Sequence, residues 1–332
     1  MQKKIIGVVI VLVVLIGGYV LYENNRIPSM LTAVTVSPKW VNQAQFAGLY
    51  VAIEKGFFAR EGLSVTVKEF QSGSPLADLE NGTSQFAYAS ANEVLGAFAD
   101  GADIHAIAAF YQVSPYVVVS LKETNITSPR QFIGKRIGIK GGRGAEGYSI
   151  FSQLLNAAAL TEDDVIVDLL PLTNSEKDDL VNGRADAIGM YRTRLHLFDS
   201  EGIRYSVLYP EQYGSALYND VLTVTQEYAS QYPDQIEGFV RALVRGWEYT
   251  IKHPDEAIDI TLQYVTREDY KDRAYEAYIL EQSIPLIKPT NRSSVGMMEV
   301  SRWQRAYDSL QERGLLSREF DIADLLITDL VK

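Results

Sequence analysis

Trp40, Asn42, Gln43 and Gln45 stand close together in the chain. An indole offers a flat stacking face, and each side-chain amide offers both a donor and an acceptor, so this group suits a planar molecule with polar edges. Tyr111, Gln112, Tyr116, Tyr191 and Tyr213 add aromatic surfaces with a polar end. The run Lys140-Gly141-Gly142-Arg143-Gly144-Ala145-Glu146-Gly147 is glycine-rich. It can present backbone amides to an anion or a carbonyl. Arg143 can pair with a ligand carboxylate or phosphate, or with Glu146. The run lacks the Gly-Lys-Ser/Thr of a P-loop, and Gly142-x-Gly144-x-x-Gly147 alone is weak support for a dinucleotide site. A tight turn requiring positive φ is the other reading of the same glycines.

The sequence holds no catalytic constellation. His105, His196 and His253 are scattered without metal-ligand spacing, and no Gly-x-Ser-x-Gly elbow occurs. The chain has no cysteine, which excludes disulfides, thiolate metal sites, thiol nucleophiles and a lipid-modified cysteine. Asp163-Asp164 and Asp178-Asp179 fall on expected helix starts and read as solvated. No metal, no cofactor and no enzymatic activity is expected.

The elements that must position these residues alternate between strand and helix, the signature of an α/β protein with mainly parallel sheets. Strands are expected at 31–36, 63–70, 85–89, 104–110 and 116–121, with helices at 44–55 and 92–100 between them. A second group begins at Gly134, with strands at 136–139, 165–170 and 185–190 and helices at 148–159 and 175–181. Asn81-Gly82 and Asn182-Gly183 each stop a helix directly before a buried strand, and this echo points to two similar lobes. We place lobe 1 at 30–121 and 215–332 and lobe 2 at 122–214, with a helical tail from Pro233 that packs around the lobes as a brace. In open α/β sheets ligands bind beyond the carboxyl ends of the strands. That rule nominates residues 38–43, 90–92, 140–146 and 191–193, and sets Ser90 and Tyr191 at equivalent strand ends facing a cleft.

The chain has 332 residues, 47% of them apolar, enough for two mid-sized domains. Its net charge of −11 argues against a nucleic-acid partner, which needs clustered Lys and Arg. Lys3 and Lys4 precede an uncharged apolar run over 5–21. As a helix it would reach roughly 26 Å, near the lower limit for spanning a bilayer. The run reads as an uncleaved anchor rather than a cleaved signal peptide, with residues 1–29 as anchor and linker. The two lysines predict a cytoplasmic N-terminus and an exported remainder, attached to the extracytoplasmic face of the membrane, or periplasmic or secreted if the run is cut.

The stretch Trp40-Val41-Asn42-Gln43-Ala44-Gln45-Phe46-Ala47-Gly48-Leu49-Tyr50-Val51-Ala52, continued by Lys55-Gly56-Phe57-Phe58 and Glu61-Gly62-Leu63, resembles the thiamine-pyrimidine synthases and their related periplasmic binding proteins. Asn81-Gly82, Gly134-Lys135-Arg136-Ile137-Gly138 and Gly183-Arg184-Ala185-Asp186-Ala187 agree, so the resemblance runs from about 32 to 313. It implies a type II periplasmic-binding-protein fold, two lobes with a ligand cleft between them, serving the permease and ATPase of an ABC importer as a monomer.

The enzyme branch of that family consumes its own histidine, two residues before the glycine matching Gly48; here the position is Phe46. Its cysteine-rich iron motif is impossible without cysteine. The resemblance therefore implies a binding protein whose ligand is a thiamine-pyrimidine precursor, a riboflavin-like ring or a sulfonate-like small acid. The aromatic and amide content of the first loop favours the heteroaromatic ring. Trp40, Asn42, Gln43, Gln45, Phe46, Ser90, Asn92, Tyr111, Tyr116, Gly142, Arg143, Glu146, Tyr191, Arg192, Tyr213 and Asp220 form the expected ligand-contact set. A membrane-anchored ligand sensor is the alternative role.

Overall fold

A computed structural model describes residues 27–331, apart from 144, 172–174, 216 and 290–293. The apolar run at 5–21 lies outside the described residues, among which no helix is long and apolar enough to cross a membrane.

Ten strands are used below: β1 Thr32–Ser37, β2 Leu63–Val67, β3 Phe86–Ala89, β4 Ile104–Tyr111, β5 Tyr116–Leu121, β6 Arg136–Lys140, β7 Ile166–Leu170, β8 Ala187–Tyr191, β9 Tyr205–Leu208 and β10 Asn219–Thr225. They form two five-stranded sheets, ordered β2-β1-β3-β10-β4 and β7-β6-β8-β5-β9. In the first, β1 pairs in parallel with β2 and β3, while β10 lies antiparallel between β3 and β4. The second repeats this plan, with β5 antiparallel between β8 and β9. The chain thus crosses from the first sheet to the second between β4 and β5 and returns between β9 and β10.

Two expectations change. The sheets are mixed rather than mainly parallel, because each contains one returning antiparallel strand. The strand at 116–121, grouped with lobe 1 from the sequence, hydrogen-bonds β8 and β9 of the second sheet. Val117 to Val119 make a buried apolar run that would suit the middle of either sheet, so local pattern cannot assign its partner.

The helices follow their caps. Helices α1 Ala47–Glu54, α2 Pro75–Glu80, α3 Ala91–Ala99, α4 Glu146–Ala157 and α5 Glu176–Val181 lie within the two sheet units. Ser74 and Ser175 cap α2 and α5 by accepting backbone N–H bonds. Gly82 and Gly183, in the left-handed region at φ 72° and 69°, follow the Asn that ends each of those helices. The sequence echo is therefore a structural repeat.

The tail is helical as expected, with α6 Pro233–Lys252, α7 Arg273–Ile287 and α8 Val300–Gln311. Trp247 of α6 lies so close over Gly48 of α1 that a Cβ there would come 2.3 Å from the indole. Phe239 stacks on Phe86 with ring centroids 3.8 Å apart. Trp303 of α8 joins an apolar cluster that includes residues of both sheets, among them Ala89 and Tyr116. The tail braces the sheets by burying this apolar surface.

Candidate functional site

The parallel strands of each sheet end on the side where the chain crosses. Tyr111 closes β4 and pairs with Asn219, the first residue of the returning strand β10. Tyr191 closes β8 and pairs with Tyr116, the first residue of β5. Loops from both sheets therefore converge beyond their strand carboxyl ends, the place where such folds bind ligands.

In the first unit, Lys39 follows β1 and donates from Nζ to Asn219 Oδ1. The same ammonium lies 3.4 Å from Asp220. Gln45 Nε2 donates to both oxygens of Asp220, at 2.9 and 3.0 Å, while its own carbonyl accepts from Gln43 Nε2 at 2.9 Å. Asp220 is buried with φ 47°, in the left-handed region that costs an L-residue conformational energy; its backbone N–H is accepted by Asn219 Oδ1 at 2.7 Å. Backbone strain of this kind persists where surrounding contacts fix it, often at functional sites.

Burial pushes the Asp220 carboxyl up to about 6, against the opposing pull of Lys39 and of the Gln45 hydrogen bond. Burial also works against the charge on Lys39, but Asp220, Glu146 and Glu93 outweigh it and hold its pKa above the usual value. The ammonium is thus matched by several carboxylates.

The second unit contributes Glu146, the first residue of α4 and nearly buried. A carboxylate suits the positive end of a helix. Glu146 accepts from Ser114 Oγ at 2.6 Å, from Tyr191 Oη at 2.9 Å, and from Asn219 Nδ2 at 2.7 Å to each oxygen. One hydrogen-bonded chain therefore runs from Gln43 through Gln45, Asp220, Lys39 and Asn219 to Glu146 and Tyr191, and it crosses between the sheets at Asn219 and Glu146.

Aromatic faces border this chain. Tyr116 and Tyr191 meet edge to face with centroids 6.0 Å apart. The Tyr116 ring occupies a cradle that a Cβ on Gly147 or Gly189 would fill, at 2.3 and 1.8 Å from its hydroxyl. Trp40 keeps 43% of its surface exposed beside Phe70, centroids 5.8 Å apart, and leaves a broad indole face open. Ser90 caps α3 in a reciprocal capping box with Glu93. Both polar atoms of the buried Asn92 side chain, in the first turn of α3, lack hydrogen-bond partners.

Other members of the expected set are used elsewhere. Asn42 turns inward: its carbonyl accepts from Tyr50 Oη at 3.0 Å and its amide donates to the Tyr264 carbonyl at 3.1 Å. Phe46 is buried against Tyr88, and Tyr111 donates to Ser283 at 2.6 Å inside the core. Arg143 pairs with Glu162 through two bonds of 2.8 Å and with Tyr148, not with Glu146. Gly142, at φ 81°, opens a turn in which its carbonyl accepts the Ala145 N–H at 3.3 Å. Arg192 is buried and donates to Glu211 at 2.9 Å, and Tyr213 donates to the Thr127 carbonyl at 3.2 Å. Asp179 is buried beside Arg184, at 3.3 Å, rather than solvated like its neighbour Asp178.

Sequence reasoning did not single out Lys39, Ser114 or Asn219. Lys39 lies in the nominated loop at 38–43, and its signal was a lone cation directly after the first strand. Asn219 adjoins the nominated Asp220. Ser114 lies on the first crossing, which carried no signal of its own.

Known proteins agree with this architecture. The family described as NMT1/THI5 like matches residues 43–257. The riboflavin-binding protein RibY of Chloroflexus aurantiacus is 27% identical over 308 residues, covering 91% of this chain and 86% of that protein. The formylaminopyrimidine-binding protein of Halalkalibacterium halodurans is 26% identical, covering 85% of this chain and 87% of that protein. Among solved structures, the periplasmic aliphatic sulphonate binding protein SsuA of Escherichia coli superposes with a TM-score of 0.71 at 14% identity, covering 89% of this chain and 92% of the other. Its fold, a periplasmic-binding-protein fold with two mixed α/β sheets, is the fold seen here.

Proposed function

The chain belongs to the NMT1/THI5-like family, and from that premise we propose that it is the extracytoplasmic substrate-binding protein of an ABC importer. In this reading it captures a small heteroaromatic molecule, a thiamine-pyrimidine precursor or a riboflavin-like ring, between two lobes of type II topology. The lobes meet at the two crossings, and the N-terminal run at 5–21 holds the protein to the membrane as a monomer.

The observation that carries the reading is the hydrogen-bonded chain between the sheets, where Gln45, Asp220, Lys39 and Asn219 meet Glu146 and Tyr191. Its amides and carboxylates match the N–H and carbonyl edges of a ring, and Trp40 and Tyr191 supply faces for stacking. The charge of the network favours a neutral or amine-bearing ring over a sulfonate. Lys39 is already matched by Asp220 and Glu146, so an added anion would meet net negative charge. The riboflavin-binding and formylaminopyrimidine-binding relatives support the same ligand class.

The residues present support binding without turnover. The position two before Gly48 carries Phe46, buried against Tyr88, where a histidine-consuming synthase needs its histidine.

A thermal-shift screen against riboflavin, a formylaminopyrimidine, thiamine and alkanesulfonates tests the proposal, because a ligand that binds only the folded form must raise the melting temperature. A shift with one of the heteroaromatic rings is expected. A shift confined to sulfonates would overturn the ligand class, and chemical conversion of a bound pyrimidine would overturn the transport role.

A further inference from the structure

Helix α7 sends two polar side chains from one face into the first unit. Glu276 and Ser283 are both fully buried. Glu276 Oε2 accepts the Ala44 backbone N–H at 2.5 Å. Ala44 opens a single 3-10 turn, Ala44–Phe46, and the residue before it, Gln43, gives that turn no side-chain cap. Gln43 and Gln45 flank Ala44 and carry the hydrogen bonds that lead to Asp220. Seven residues on, Ser283 Oγ accepts from Tyr111, whose strand pairs in register with Asn219. One helix face thus supports both ends of the first unit's share of the network.

A buried carboxylate is a costly way to achieve packing, because an apolar side chain of similar size would do it without the desolvation penalty. What the carboxylate provides is a directed acceptor for one backbone N–H. We infer that Glu276 is a positioning residue for the binding cleft: it fixes the Gln43-Ala44-Gln45 turn so that Gln45 meets Asp220, without itself touching ligand.

Burial pushes the Glu276 carboxyl up to about 7, against the Ala44 N–H, with Asp272 adding to the rise. Tyr50 of α1 faces it as well. The other titratable groups on elements packed against α7 are engaged elsewhere: Tyr111 with Ser283, His105 with Gln226, Arg192 with Glu211, Arg194 with Glu176, Asp255 and Asp259 with Arg273, and Glu256 with Lys55 and Tyr249, while His196 rests on the rings of Tyr275 and Tyr278. Burial favours the protonated form, so by linkage the turn is held more firmly below pH 7 and opens more readily as the carboxyl ionises above it.

The test is hydrogen–deuterium exchange of the full chain at pH 6 and pH 8, corrected for intrinsic rates, in wild type, Glu276→Gln and Glu276→Ala. Peptides over 40–47 report the turn, and peptides over 116–121 serve as a control for general loosening. Glu276→Ala should speed exchange over 40–47 on the order of tenfold at pH 6. Glu276→Gln, which keeps an acceptor oxygen, should restore most of the protection but lose the difference between pH 6 and pH 8. Equal exchange over 40–47 in all three proteins, or loosening of both regions alike, would overturn the assignment. If Glu276→Ala does not fold, the comparison of wild type with Glu276→Gln across the two pH values decides. The affinity arm rests on the binding reading above and uses riboflavin: its dissociation constant should rise by the same factor in Glu276→Ala. Failure of wild type to bind riboflavin counts against that ligand alone and leaves the exchange result to decide the role of Glu276.

Discussion

Asn219 and Glu146 join the two sheet units: the Asn219 amide nitrogen lies 2.7 Å from each oxygen of the Glu146 carboxylate, and both residues are nearly or fully buried. The contact places one donor of the first unit against the acceptor that also binds Ser114 and Tyr191.

Asn219→Ala should therefore loosen the contact between the two sheet units. Loss of a buried hydrogen bond to a charged acceptor costs about 1.5–3 kcal/mol. Without ligand, small-angle X-ray scattering should report a larger radius of gyration for the variant than for wild type. Identical scattering would show that the Asn219 amide does not hold the lobes together.

Trp40→Ala should weaken ligand binding by about 1–3 kcal/mol, the loss expected when a large aromatic contact is truncated. Because Trp40 is half exposed, its removal should leave the melting temperature of the free protein nearly unchanged. Calorimetric titration with the compound found by screening checks both parts; an unchanged dissociation constant would remove Trp40 from the site.

The pH dependence of stability has a definite sign. The carboxyls of Asp220 and Glu276 rise from 3.8 and 4.5 to about 6 and about 7 on folding. Each raised pKa favours the folded state fully below its unfolded value, and the benefit is lost as pH climbs through the folded value. For each group this is on the order of 3 kcal/mol. The melting temperature of wild type should fall between pH 4 and pH 7 on account of these groups, and more gently in Asp220→Asn and Glu276→Gln. Parallel profiles in all three would contradict the shifts.

Gly48→Ala should cost about 3 kcal/mol of stability. The added methyl group would meet the Trp247 ring at 2.3 to 2.6 Å, and the helices cannot separate easily because Gly246 faces the Gly48 carbonyl with equally little room. Urea denaturation of the variant measures the loss; a wild-type midpoint would mean that α1 and α6 can shift apart freely.

The sequence made some of this plain for physical reasons. The Asn-Gly helix stops and the alternation of strand and helix are local signals, and Gly82 and Gly183 take up the left-handed conformations that glycine tolerates. The loops beyond the strand ends were nominated by a topological rule, and they hold Lys39, Ser90, Glu146 and Tyr191. What stayed hidden depended on distant partners. Asn42 reads as a ligand amide beside Trp40, yet Tyr50 and Tyr264 claim both its ends. Arg143 reads as an anion binder, yet Glu162 meets it bidentately. Glu276 lies in a tail that shows no chemistry by pattern, and its partner Ala44 is 232 residues away. The strand at 116–121 was recognised, but its sheet is decided by the crossing.

The placement of β10 also bears on the order in which the chain can mature. All five strands of the second sheet come from one contiguous stretch, 116–208, so that unit can close as soon as it is available. The first sheet cannot: β10 lies between β3 and β4, and it arrives more than a hundred residues after β4. Until residue 225 has emerged, the facing edges of β3 and β4 stay open, a state prone to wrong pairing. The earlier unit in sequence is therefore the later one to be completed, and the hydrogen-bonded network through Asn219 and Asp220 comes into being with it.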